Sequence, residues 1–135
     1  MPYQTFKYLP LLILYMAVTS IMTTEGEITS KEGAGVSSSL TDGMHDAWVL
    51  QAENSLNVFA RDNFSDSYAA LNVDVKSIFS DIVSSMVAIQ GIAYDMSGYF
   101  SLREAEDKIN ILRDGIQRNM SILRDKKNQK FVNEA

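Results

Sequence analysis

The chain has no cysteine. That single absence removes disulfides, thiol nucleophiles and thiolate metal sites. Small secreted domains often depend on disulfides, so a cysteine-free exported chain points instead to a helical bundle, a coiled coil or a bacterial exported protein. Histidine is nearly absent as well. His45 stands alone, which is too little for a zinc site of the usual kind, and no nucleophile stands at a spacing that closes a triad around it. It reads as a partly exposed helix residue near Asp42 and Asp46. Basic residues are scarce through residues 23–100, where Lys31, Arg61 and Lys76 face eleven acids and the net charge is −8. Residues 101–135 carry a net of +2 with the signs mixed, and the whole chain carries −5. Phosphate affinity needs clustered Lys and Arg, so nucleic acid is excluded as a partner.

Long apolar runs are also missing. The longest uncharged apolar stretch, Leu9 to Met22, has 14 residues. As a helix it reaches about 21 Å, short of the ~30 Å hydrocarbon core of a bilayer. It follows a short start carrying Lys7, and Val18-Thr19-Ser20 offers small residues for cleavage after Ser20. That is the layout of a secretory signal peptide. Two alternatives stay open: an uncleaved membrane anchor, and an apolar helix that packs into an assembly. A surface helix with a single apolar stripe does not fit, because the run is apolar all round.

At 135 residues the chain has room for one domain beyond this segment. The expected division is 1–22 as signal peptide or apolar helix, 23–40 as a flexible linker and 41–135 as a helical domain. Residues 23–40 are rich in Thr, Ser, Gly and Glu, a composition that competes with backbone pairing and favours a spacer. Gly33-Ala34-Gly35 lacks the Lys-Ser/Thr ending of a phosphate loop.

Three helices are predicted after the linker. The first is capped by Thr41 or Asp42 and runs to about Arg61, with Met44, Trp48, Ala52, Leu56 and Phe59 on one stripe. The second spans about Ser65 to Ser97 and carries Leu71, Val75, Ile78, Ile82, Ile89, Ile92 and Met96 at heptad spacing, with Ser85 filling one seam position. Gly91 costs this helix about 1 kcal/mol relative to Ala, and Gly98 ends it. Ser101-Leu102-Arg103-Glu104 then has the capping-box form. The third helix shows Leu102, Ala105, Ile109, Leu112, Ile116 and Leu123 at alternating spacings of three and four, with Asn119 as a polar member that either fixes register or faces water. Ile111-Leu112-Arg113-Asp114 recurs eleven residues later as Ile122-Leu123-Arg124-Asp125, on the same helix face.

Chemistry is hard to find. Glu104 and Asp107 are simply placed to pair with Arg103 and Lys108 on an exposed face. Trp48, Tyr68, Tyr94 and Tyr99 fall at helical spacings that suit a core better than a ligand pocket. No nucleophile–base–orienter set is visible. The pattern predicts a non-enzymatic protein with no cofactor and no metal. It is all-α: an apolar N-terminal helix, a flexible linker, then a three-helix bundle or helical hairpin with coiled-coil character. Its partners are expected to be a protein or a second copy, through the heptad seams, and membrane contact through Leu9 to Met22 stays open. An apolar N-terminal helix followed by a heptad-bearing region resembles, in general layout, the filament and translocator subunits of bacterial type III secretion systems. That resemblance implies assembly through helices, in a secreted or membrane-anchored setting.

Overall fold

The computed structural model describes residues 20–73 and 75–133, with side chains at all of these except 126 and 127. The expectation for an apolar helix or signal at the N-terminus falls mostly on residues 1–19, outside the described residues. The described chain is all-helical and contains no strand. Its helices are α1 (Glu25–Glu32), α2 (Asp42–Ala60), α3 (Phe64–Ser67), α4 (Lys76–Tyr94), α5 (Leu102–Arg124) and α6 (Lys126–Val132), with 3₁₀ turns at Tyr68–Ala70 and Met96–Gly98.

Local sequence explains where α1, α2 and α5 begin. Thr24, Thr41 and Ser101 are N-caps, and each side-chain oxygen accepts the backbone N–H three residues on, from Glu27, Met44 and Glu104. These bonds satisfy donors that the first helical turn leaves unpaired. Arg61 ends α2 in the left-handed conformation.

The helix α4 is the hub of the fold, and α1, α2 and α5 all pack on it. Among the described residues it is the one helix long and apolar enough to cross a membrane, and half of its most apolar window is buried inside the fold. Phe79, Ile82, Val83 and Val87 meet Val49 and Leu56 of α2, Ile28 of α1 and Leu123 of α5 in the main core. Each fully buried side chain of this kind contributes about 1.5–3 kcal/mol. The rings of Phe64 and Phe79 pack at a tilt with centroids 4.8 Å apart. A smaller cluster of Ile92, Tyr99, Ala105 and Ile109 closes the far end. The loop after the 3₁₀ turn is tied to the C-terminus, where the Asn72 N–H donates to the Val132 carbonyl at 2.8 Å.

Three expectations change. The stretch read as a flexible linker carries α1, with Ile28 and Glu32 fully buried. The second helix is shorter than its heptad pattern suggests. Leu71 and Val75 lie before α4 and Met96 in the 3₁₀ turn after it, because Asp95 caps that turn through its side chain. On α2 the buried stripe is His45, Val49, Ala52, Glu53, Leu56 and Ala60, whereas Phe59 is exposed. The helix is rotated so that a histidine and a glutamate face inward.

Candidate functional site: a buried glutamate–histidine–glutamate cluster

Glu25, Ile28 and Glu32 sit at three-four spacing on one face of α1, turned toward the first turns of α2. His45 projects from that part of α2 and is 4% exposed. Its Nδ1 lies 2.8 Å from Glu25 Oε1 and its Nε2 lies 3.1 Å from Glu32 Oε2. Both ring nitrogens therefore face carboxylate oxygens, an arrangement that the doubly protonated imidazolium satisfies with one N–H for each glutamate. The hydrogen bond to Glu32 pushes the His45 pKa up to about 9. Burial opposes that rise, and Glu25 adds to it. The Trp48 ring lies 5.9 Å from the imidazole and 6.5 Å from Tyr94.

Glu32 is the anchor of the cluster. It is fully buried, and its Oε1 has no hydrogen-bond partner among the described residues. The Tyr99 hydroxyl donates to its backbone carbonyl at 2.7 Å. Burial, together with the charges of Glu32 and Glu104, pushes the Tyr99 pKa up to about 12, so the hydroxyl keeps its proton. The expectation that His45 is a partly exposed residue beside Asp42 and Asp46 is corrected: it is buried, and its partners come from α1. The physical reason is mutual. Two carboxylates stabilise an imidazolium that could not be buried alone, and the imidazolium offsets part of their desolvation.

A second polar group joins α1, α4 and α5. Lys31 Nζ donates to the Asp81 carboxylate, to the Asp81 carbonyl at 3.0 Å and to Ser85 Oγ at 2.9 Å. Asn119 Nδ2 donates to Asp81 Oδ2 at 2.6 Å. Lys31, Asp81 and Asn119 line an open groove of about 580 Å³, together with Glu27, Ser30 and Ser77. Their charges are already engaged with one another. Asn119, the polar member of the third predicted helix's stripe, is thus bonded across the helix interface.

The seam residues divide by position. Leu71, Ile82, Ile92, Ile109 and Leu123 are buried. Val75, Ile78, Ile89, Met96, Leu112 and Ile116 are half-buried. Leu102 is 61% exposed and stands outside the core, because it is the first residue of α5 and the inward stripe begins at Ala105. Sequence reasoning missed Glu25, Glu32, Lys31, Glu53 and Asp81. One signal for α1 was present: Thr24 and Glu27 have the Ser/Thr-x-x-Glu form of a helix start. It sits inside a stretch whose composition reads as a spacer.

The arrangement brings His45 within ion-pairing distance of both Glu25 and Glu32. Among the described residues no hydroxyl or other nucleophile bonds to His45. Among them, too, no cluster of acidic and histidine side chains is placed to hold a metal ion. Comparison with known proteins finds no matching family model, curated protein or solved structure.

Proposed function

We propose that this chain is a non-enzymatic exported protein that works through helix–helix association, and that α5 is the helix that associates. The observation that carries this reading is the outer stripe of α5. Ile111 is 70% exposed and Ile122 is 40% exposed. They are the first residues of the two Ile-Leu-Arg-Asp copies, eleven residues apart, and so share a face that flanks the buried stripe.

A second copy of the chain fits that face. Antiparallel pairing of α5 with itself sets Ile111 against Ile122 of the other copy. It also sets Arg118 against Gly115, the small residue between the two isoleucines, and beside Asp114. The acidic start of α5, with Glu104, Glu106 and Asp107, then faces the basic end around Arg124 and Lys130. This charge match favours antiparallel over parallel pairing. Within one copy we read α2, α4 and α5 as the three-helix bundle on which the interface is built, with the α4–α5 hairpin as its coiled-coil element.

Sedimentation velocity across a wide concentration range tests the reading. A monomer–dimer equilibrium is expected, abolished by Ile111→Glu without loss of thermal stability. A monomer at every concentration sinks the proposal.

A membrane-anchored or membrane-active role, as in a secretion filament or translocon subunit, is the second reading. Leu9 to Met22 and the apolar composition of α4 favour it. Co-flotation of the full chain with anionic vesicles supports it, and a chain left at the bottom of the gradient rejects it.

A further inference from the structure

Glu53 is a buried acid with no cation in salt-bridge reach among the described side chains. It lies on the inward face of α2 and is 5% exposed. One oxygen, Oε1, accepts three bonds from a single short stretch: the Ser20 hydroxyl at 3.2 Å, the Ile21 N–H at 3.1 Å and the Met22 N–H at 3.1 Å. The Thr23 N–H in turn donates to the Ser20 hydroxyl at 3.0 Å. A carboxylate taken out of water and served only by neutral donors is costly to keep ionised. Two of its donors are backbone nitrogens, and cleavage of the chain in front of either would make that nitrogen a cation.

The sequence independently marks one of those bonds. Val18-Thr19-Ser20 places small residues where removal of a leader requires them, with the cut after Ser20. We propose that the chain is cut between Ser20 and Ile21 on export, and that the new Ile21 α-ammonium forms an ion pair with the buried carboxylate of Glu53. This rests on the export reading above. In the hydrolysis, catalysed by a leader peptidase of the exporting cell, water adds across the peptide bond. Its hydroxyl completes the carboxyl group of Ser20, which departs with the leader, and its proton goes to the Ile21 nitrogen. A free α-amine has a pKa near 8 and takes a further proton from solvent at neutral pH. The cut removes the Ser20 hydroxyl from Glu53, but the ammonium has three protons where the amide had one. It keeps the Ile21 bond and has a donor to spare for the vacated position.

The surroundings favour a cation here. Glu27 of α1 accepts from the Thr23 hydroxyl at 2.9 Å. The Tyr68 hydroxyl is held in its protonated form by burial and by the negative charges of Glu27 and Glu53. Lys76 of α4 lines a cleft with Ile21, Met22, Glu27 and Tyr68, and its ammonium sits over the Tyr68 ring.

The test uses the full chain. It is expressed in an exporting bacterial host, and the exported product is read by intact mass and N-terminal sequencing. In parallel, a version with a factor Xa site in place of residues 17–20 is folded and then cut in front of Ile21. Thermal denaturation is compared before and after the cut, with and without Glu53→Gln, and after acetylation of the new amine. The proposal expects an exported product that begins at Ile21. It also expects a rise in Tm of about 5 °C on cutting, absent in Glu53→Gln and cancelled by acetylation. Because acetylation is applied to the unsubstituted chain, the result holds even if Glu53→Gln does not fold. An exported product beginning elsewhere, or a Tm unmoved by the amine's charge, overturns this proposal and leaves export standing. A product of full mass retained in the cytoplasm overturns both.

Discussion

The carboxylate of Glu32 occupies the space that a side chain at position 91 would need. A Cβ on Gly91 would stand 1.7 Å from Glu32 Oε2 and 2.8 Å from its Cδ. Helix α1 docks on α4 at this point because residue 91 is glycine. The same glycine, judged from the sequence alone, looks like a defect in an apolar helix.

Gly91→Ala therefore tests the docking directly. Helix propensity alone predicts a gain of about 1 kcal/mol. The clash predicts the opposite, a loss of roughly 1–3 kcal/mol as in other overpacked sites. Chemical denaturation of the single variant, and of Gly91→Ala combined with Glu32→Ala, separates the two effects. Destabilisation that disappears in the Glu32→Ala background is expected. A stabilised single variant would mean that α1 does not sit here.

Stability should depend on pH through His45. Its pKa rises from about 6.5 to about 9 on folding. A group with a raised folded pKa contributes its full stabilisation below the unfolded value and loses it as pH climbs through the folded one. The unfolding free energy should thus fall between pH 6.5 and pH 9, by on the order of 3 kcal/mol for a shift of this size. His45→Gln keeps a hydrogen-bonding side chain but cannot carry the charge. Urea titrations at a series of pH values should show the slope in the parent chain and its loss in the variant. Equal slopes would remove the imidazolium from the account.

Asp81 ties Lys31 to Asn119, and the three should behave as one unit. Asp81→Ala leaves Asn119 Nδ2 without its acceptor and takes the carboxylate from Lys31, which keeps the residue-81 carbonyl and Ser85 Oγ, at a cost of about 1–2 kcal/mol. The side chains of Lys31 and Asp81 are partly exposed, so solvent screening keeps the figure at the low end. In a double-mutant cycle, Asn119→Ala should cost clearly less in the Asp81→Ala background than in the parent chain. Additive losses would show that the bonds are independent.

Ser101 offers the simplest check on the fold. Its hydroxyl accepts the Glu104 N–H at 3.1 Å. Ser101→Ala should cost about 1 kcal/mol, and Ser101→Asp should restore most of it. The midpoint of urea unfolding reads both changes.

The helix starts were the most legible part of the fold. Ser101 with Glu104 and Thr41 ahead of α2 are local patterns, settled within three or four residues of chain. The periodicity of α5 was equally plain, because its buried and exposed faces differ strongly in polarity. Helix α2 was legible in part: of the expected stripe Ala52 and Leu56 are buried and Trp48 packs against the core, whereas Phe59 is exposed. By composition His45 and Glu53 belong outside, yet both are buried. That choice is favourable only because Glu25, Glu32 and the Ser20–Met22 backbone arrive to meet them.

The N-terminal segment shows the same division. By itself the sequence determined an uncharged run too short for a comfortable membrane span, a candidate cut after Ser20, an all-helical body and the absence of thiol chemistry. Only the tertiary structure decided that 25–32 is a helix rather than a spacer, that Gly91 is a docking point, and that Glu53 waits beside Ile21. The reason is the range of the forces involved. Caps and helical periods depend on neighbours a turn away. The cost of burying a charge depends on partners that lie 13, 20 and 32 residues distant along the chain, and only folding brings those together.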